Sequence, residues 1–319
     1  MKKVMAAAVP VALMLALGVV LAGCGQVGKL KGQMAFKDAN ILYQTQKYRD
    51  AAAKYEEAVA ENPELTDAYF FLANSYDNQY RATKRGDPEN DALMTKAIEN
   101  YKKRAEMEGG DPKIQRLALE YLVAAYGADK LNDPAAQEPI LLAMIEKDPG
   151  YTAGWFGLAN LYEQSGDYPR AEEMLNKARE QKPKDPAVYM QLAGFYNRQG
   201  QFDKTMEALH ARAEMEPTNP EAFYTIASYY WEKAYRDFTL SQPDQLKFTL
   251  DGLKAVDEAI RLKPDYFEAL TYKNLLLRVQ ARIVKDPAQQ QKLLAEAKQY
   301  EAQANEVRKK QSAASSGAD

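Results

Sequence analysis

Side chains that commonly carry chemistry are scarce in this chain of 319 residues, which has one cysteine, Cys24, and one histidine, His210. A structural zinc site takes about four Cys or His ligands, and a thiol nucleophile needs an imidazole beside it. Neither is to be expected here, and a disulfide framework is ruled out. His210 follows Leu209 on a helical pattern but lies off its apolar stripe, so it reads as a surface residue with no nucleophile to activate. The 45 acidic residues include Glu172, Glu173 and Glu180 on expected outer helix faces, where solvated carboxylates are the rule. A catalytic pair among them is neither indicated nor excluded by spacing. Neither Gly-rich phosphate loop is present. The residues therefore point to no catalytic group, no metal and no cofactor.

Charge narrows the partners. The net charge is −3, and loss of Lys2 and Lys3 with the segment discussed next leaves 40 basic against 45 acidic residues, near −5. Nucleic-acid capture needs a concentrated basic face. The runs Arg81–Arg85 and Arg308–Lys310 are short and read as solvated.

Met1-Lys2-Lys3 followed by the apolar run Val4–Ala22 is the pattern of a secretory signal, set aside in any reading of the fold. An uncleaved span is the alternative, since about 20 apolar residues cross a bilayer. Leu21-Ala22-Gly23-Cys24 resembles the lipobox of bacterial lipoproteins. That resemblance implies cleavage before Cys24, a diacylglyceryl group on its sulfur and acylation of the new amino group. One acyl chain anchors only marginally, whereas two or three hold a protein stably. Gly25, where an Asp would favour inner-membrane retention, implies the periplasmic leaflet of an outer membrane in a double-membraned bacterium.

Beyond the anchor, the sequence repeats. Trp155, Leu158, Ala159, Tyr162, Gly166, Tyr168, Ala171, Leu175, Ala178 and Pro183 recur 34 residues on as Tyr189, Leu192, Ala193, Tyr196, Gly200, Phe202, Thr205, Leu209, Arg212 and Pro217. Only Thr205 and Arg212 change character. Bulky, Leu and Tyr positions form one stripe of a first helix, and a small residue beside the Leu admits a second helix. The Gly makes the turn, Ala residues are the small knobs of the second helix, and Pro ends the unit. The series resembles the tetratricopeptide repeat. The resemblance implies an all-α, right-handed superhelical solenoid of about six to seven helix-turn-helix repeats, because one hairpin cannot bury its apolar face alone.

The register extends both ways. Ala39, Tyr48, Ala51, Tyr55, Ala58 and Pro63 fit a first repeat, and Tyr69, Leu72, Ala73 and Tyr76 open a second. Leu119, Leu122 and Tyr126 open a third, and Phe223, Ile226, Ala227 and Tyr230 open a sixth. Tyr266–Ile283 with Leu293–Val307 reads as a degenerate seventh, capping pair. Repeats two and six carry 12 and 13 extra residues between their helices. If both helices of a pair lengthen by about six residues, each projects ~9 Å further, with turns at Arg85–Pro88 and Ser241–Asp244. The expected organisation is a signal over 1–23, lipidated Cys24 and a flexible tether over 24–31, the repeats over 32–307 and a disordered tail over 308–319. Tyr48, Tyr55, Tyr76, Tyr126, Tyr162, Tyr168 and Tyr196 are expected in the core.

In the family that the repeats resemble, first helices line a concave groove. Its inward positions correspond here to Phe36, Asn40, Tyr43 and Gln44; to Phe70, Asn74, Asp77 and Asn78; to Phe156, Asn160, Glu163 and Gln164; to Met190, Asn197 and Arg198; and to Tyr224, Ser228, Trp231 and Glu232. Amides beside aromatics suit a peptide, since amides hold its backbone and aromatics take its apolar side chains. The recurrent Asn resembles the family's clamp for C-terminal carboxylates, but the accompanying lysine is missing, so no such clamp is expected. Several of these residues could instead pack between repeats. The expected function is a lipid-anchored, non-catalytic scaffold of the cell envelope whose groove binds a peptide segment or partner protein. A glycan-binding or enzymatic accessory module of envelope metabolism and a self-assembling structural protein remain as alternatives.

Overall fold

A computed structural model describes the backbone of residues 11–316 and the side chains of residues 26–313. The first ten residues of the signal segment and the Cys24 side chain lie outside what is described. The described residues fall into two compact units, residues 1–148 and 149–319.

The helices start where the sequence says a chain can start one. Asp87, Asp111, Asp133, Asp185 and Asn219 each immediately precede a proline, and each side chain accepts from a backbone N–H of the first turn. A carboxylate or amide cap followed by a residue that has no N–H to satisfy is a favourable helix opening. Asp167 and Ser241 cap in the same way one residue further from their prolines.

The first unit holds α1 (Val11–Gln44), α2 (Tyr48–Glu61), α3 (Thr66–Asp77), α4 (Pro88–Glu106), α5 (Pro112–Ala125) and α6 (Pro134–Lys147). Each helix packs on the next, and the first helices of successive pairs also meet, α1 with α3 and α3 with α5. Ala39, Ala51, Tyr55, Ala73, Tyr76, Ala97, Tyr101 and Leu122 fill the core between them. The second unit holds α7 (Thr152–Gln164), α8 (Tyr168–Gln181), α9 (Pro186–Arg198), α10 (Phe202–Met215), α11 (Pro220–Arg236), α12 (Gln242–Leu262), α13 (Phe267–Ile283) and α14 (Pro287–Ser316). Leu158, Ala171, Leu175, Leu192, Leu209, Ile226, Val256, Ala259, Leu270 and Leu276 are buried there. The described residues thus form seven helical hairpins and no strand.

Gly166 and Gly200 close the regular turns with φ of +78° and +69°, a region that a Cβ disfavours. The two arginines near the ends of α4 and α10 occupy the place of the last small knob. The Arg104 side chain is fully buried and paired with Asp67. Arg212 pairs with Glu216 and Glu221. Each guanidinium fills its site only because carboxylates meet it.

Four expectations need correction. Residues 26–31 are not a flexible tether but part of α1. Gly28 and Gly32 let α1 approach the end of α2 so closely that a Cβ on Gly32 would lie 2.6 Å from Asn62 Cβ, and Lys29 pairs with Glu64 at 2.6 Å. The tail is helical as far as Ser316, because Arg308, Lys309, Lys310 and Gln311 are good helix formers. Tyr168 stands at the first position of α8 and is 45% exposed. In repeat two the insertion leaves α3 short; it forms a loop with a 3-10 turn at Ala82–Lys84 and lengthens α4 to 19 residues. Repeat six does lengthen both helices, to 17 and 21 residues.

Candidate functional site

In the first unit the expected groove residues are used by the fold itself. Asn40 accepts from the Tyr55 hydroxyl at 2.6 Å. Asn74 is buried; its carbonyl oxygen accepts from the Tyr43 hydroxyl at 2.6 Å, and its amide donates to Tyr101 Oη at 3.1 Å. The Tyr101 hydroxyl donates to Asp77 at 3.3 Å, and Lys130 donates to the same carboxylate at 2.7 Å. Phe70 is buried against Tyr101 and Tyr121, at centroid distances of 5.8 and 5.5 Å. Burial pushes the Tyr43 and Tyr101 phenols above their ordinary range, helped for Tyr101 by the Asp77 charge. Asn40, Tyr43, Phe70 and Asn74 therefore join neighbouring repeats and do not form an open floor. A buried amide that finds both donors and acceptors rigidifies a core.

The second unit is different. Phe156, Asn160 and Glu163 on α7 and Arg198 on α9 converge on one cleft of about 600 Å³, together with Gln164 and Gln191. Arg198 grips Glu163 through Nε and Nη2 at 2.7 and 2.8 Å. That hydrogen bond, the largest influence, holds the guanidinium above its ordinary pKa against the opposing effect of burial, and the Glu163 charge adds to it. Gln164 donates to Asn160 Oδ1 at 2.7 Å, which leaves the Asn160 N–H groups for a ligand carbonyl. Phe156, Ala159 and Leu175 give the same cleft an apolar lining beside these amides. Such a surface can hold an extended backbone by hydrogen bonds and take one apolar side chain.

The remaining candidates are scattered. Asn197 lines a separate cleft of about 420 Å³ with Tyr229, Glu232 and Arg236. Met190 is drawn off the cleft, with its sulfur 2.8 Å from Arg212 Nη1. Tyr224 and Trp231 join an aromatic face made by α11 and α13. Trp231 stacks on Tyr235 at 5.1 Å and 10° and meets Tyr272 edge-on at 5.4 Å. Tyr224 contacts Tyr266 and Tyr272. Positional carry-over from the regular repeats stops at the sixth, so it does not reach Tyr272 in α13. Gln191 precedes a signature Leu on α9, and no sequence signal singles it out.

Both insertions build clefts. The loop of repeat two closes a polar one of about 490 Å³ lined by Arg49, Glu56, Tyr76, Arg81, Asp87 and Lys96. The arm of repeat six borders one of about 610 Å³ with Phe202, Leu240 and Phe248. Among the described residues no group of three or more His, Cys, Asp or Glu side chains could hold a metal ion. No helix among them is long and apolar enough to cross a membrane.

Paired antiparallel helices of about 14 residues, a positive-φ glycine between them and small knobs on the second helix define a helical-hairpin repeat protein. Two models of the tetratricopeptide repeat match the chain, over residues 36–94 and 116–194. Over those two stretches the chain is built of tetratricopeptide repeats. A solved structure of the C-terminal part of a tetratricopeptide-repeat protein from Cytophaga hutchinsonii aligns with a TM-score of 0.56 and 16% identity, over 85% of this chain and 98% of that one. A tetratricopeptide-repeat protein from Parabacteroides merdae aligns with a TM-score of 0.46 and 12% identity, over 84% and 99%. No curated protein matches the sequence. The first likeness shows the fold. A fold of this family is a protein- or peptide-interaction scaffold, and such scaffolds are generally non-catalytic.

Proposed function

We propose that this protein is a lipid-anchored scaffold of the bacterial cell envelope that holds an extended peptide segment of a partner protein in the cleft of its second unit. The observation that carries the reading is the convergence of Phe156, Asn160, Glu163 and Arg198 in one cleft. Asn160 and Gln191 supply backbone-type hydrogen bonding, Phe156 and Leu175 supply apolar contact, and the Glu163–Arg198 pair offers either charge to a ligand side chain. The face where half-buried Trp231 stacks on exposed Tyr235 is a second anchor point for apolar side chains, since Trp and Tyr are the residues that most often dominate interfaces. The anchor is the lipid on Cys24 after removal of residues 1–23, and the absent aspartate at Gly25 favours the periplasmic face of the outer membrane. The near −5 charge of the processed chain favours protein over nucleic acid as the partner.

Fluorescence polarisation against a library of labelled ten-residue peptides tests the cleft. Peptides selected by the wild type should bind Asn160→Ala about tenfold more weakly, the loss of one hydrogen-bonding group that the bound peptide would cover. Equal binding by the variant, or selection of no peptide at all, refutes the assignment.

A further inference from the structure

The outer face of α1 breaks a rule of repeat arrays. A terminal helix has no preceding repeat to cover it, and so ordinarily carries a polar outer face. Here Val27, Leu30, Met34 and Ile41 stand on one side of α1 with exposures of 55, 59, 62 and 54%. The residues that pack α1 onto its own unit, Gly28, Gly32, Ala35 and Ala39, lie ~140° around the helix from that stripe at 3.6 residues per turn. The stripe therefore points away from α2 and α3. A side chain of any size at Gly32 would collide with Asn62, so α1 cannot roll inward to hide it.

What covers it follows from where it stands. Residues 24–27 are all part of α1, so Val27 lies three residues, or ~4.5 Å along the axis, beyond residue 24. No slack intervenes between an acyl anchor at that position and the stripe. Lys31 and Lys37 are exposed on its flanks, where anionic headgroups would meet them. Asp38 ends the favourable stretch before Ile41. We infer that Val27, Leu30 and Met34 lie in the membrane interface, so that α1 rests along the bilayer surface and is not held off it by a tether. The inference rests on the proposed lipidation of Cys24.

The test uses the full chain, purified from a lipidating bacterium and placed in vesicles of phosphatidylethanolamine and phosphatidylglycerol. Lipidated Cys24 has no free thiol, so a cysteine introduced as Leu30→Cys, Met34→Cys or Gln33→Cys is the sole site for an environment-sensitive dye. Nitroxide-labelled lipid should quench the dye at positions 30 and 34 at least about threefold more than at position 33, as for a helix sunk on one face. Equal quenching at all three positions in vesicle-bound protein overturns the inference and leaves the anchor standing. Crosslinked dimers through Met34→Cys would assign the stripe to a second copy and overturn it likewise. A wild-type chain that takes up dye at Cys24 and stays in the supernatant refutes the anchor, and the inference with it.

Discussion

Removing the Asp67 carboxylate should harm the first unit more than removing the arginine it faces. Arg104 is fully buried, and Asp67 is about one-third exposed, at 0% and 30% of side-chain surface. The guanidinium donates to Asp67 Oδ1 from Nε at 3.0 Å and to the Asp111 carbonyl oxygen from Nη2 at 2.8 Å. In Asp67→Ala the cation stays in the core with neutral carbonyls alone for company. Breaking a buried pair in this way costs about 3–5 kcal/mol, and water entering where Asp67 was should reduce that to ~2–4 kcal/mol. In Arg104→Met the orphan is Asp67, which water can reach, so the loss should be about 1–2 kcal/mol. The double variant should then be more stable than Asp67→Ala alone, because no charge is left without a partner. Urea denaturation followed by far-ultraviolet circular dichroism measures all three. An Asp67→Ala variant within about 1 kcal/mol of wild type, or a double variant less stable than both singles, refutes the reasoning.

Three further outcomes follow from the same geometry. Gly32→Ala should destabilise by about 1–3 kcal/mol through overpacking, since its Cβ would meet Asn62 Cβ at 2.6 Å; a thermal scan that shows no loss contradicts the tight α1–α2 seam. Gly166→Ala meets nothing within 4 Å, so only its φ of +78° should matter, at about 1 kcal/mol. Burial, aided by neighbouring carboxylates, pushes Tyr76, Tyr196 and Tyr266 from 10.0 up to about 12. The fold favours the neutral phenol, so this stability is complete below pH 10 and drains away as pH rises towards 12. The urea midpoint should therefore fall as pH rises from about 10 towards 12, with tyrosinate absorbance at 295 nm rising as the chain unfolds; a flat midpoint refutes it.

The fold was legible because its determinants are local and periodic. Trp155, Leu158, Tyr162 and their counterparts 34 residues on mark buried faces, and the glycines between them mark turns. The candidate site was legible only in part. Phe156 and Phe70 occupy the same register position, yet Phe156 lines a cleft while Phe70 is sealed by Tyr101 and Tyr121. Those contacts come from residues far along the chain, beyond any single repeat's pattern. Asn160 and Asn74 diverge for the same reason, because Tyr43 and Tyr101 reach Asn74. Met190 is captured by Arg212, a residue whose departure from the repeat signature is visible in sequence but whose direction is not. The tether was misread because Gly28 and Gly32 look like flexible residues, whereas they serve close helix packing.

Site-specific photo-crosslinking in intact cells tests the peptide-cleft account most directly. A photoreactive residue placed at Gln191, exposed at the rim of the cleft formed by Phe156, Asn160 and Arg198, should give one discrete adduct. Peptide mapping should place that adduct in an extended segment of a single envelope protein, and it should weaken with Asn160→Ala. The same residue at Glu180, exposed near the end of α8, should give none. No adduct from Gln191, or the same adducts from both positions, would contradict the account.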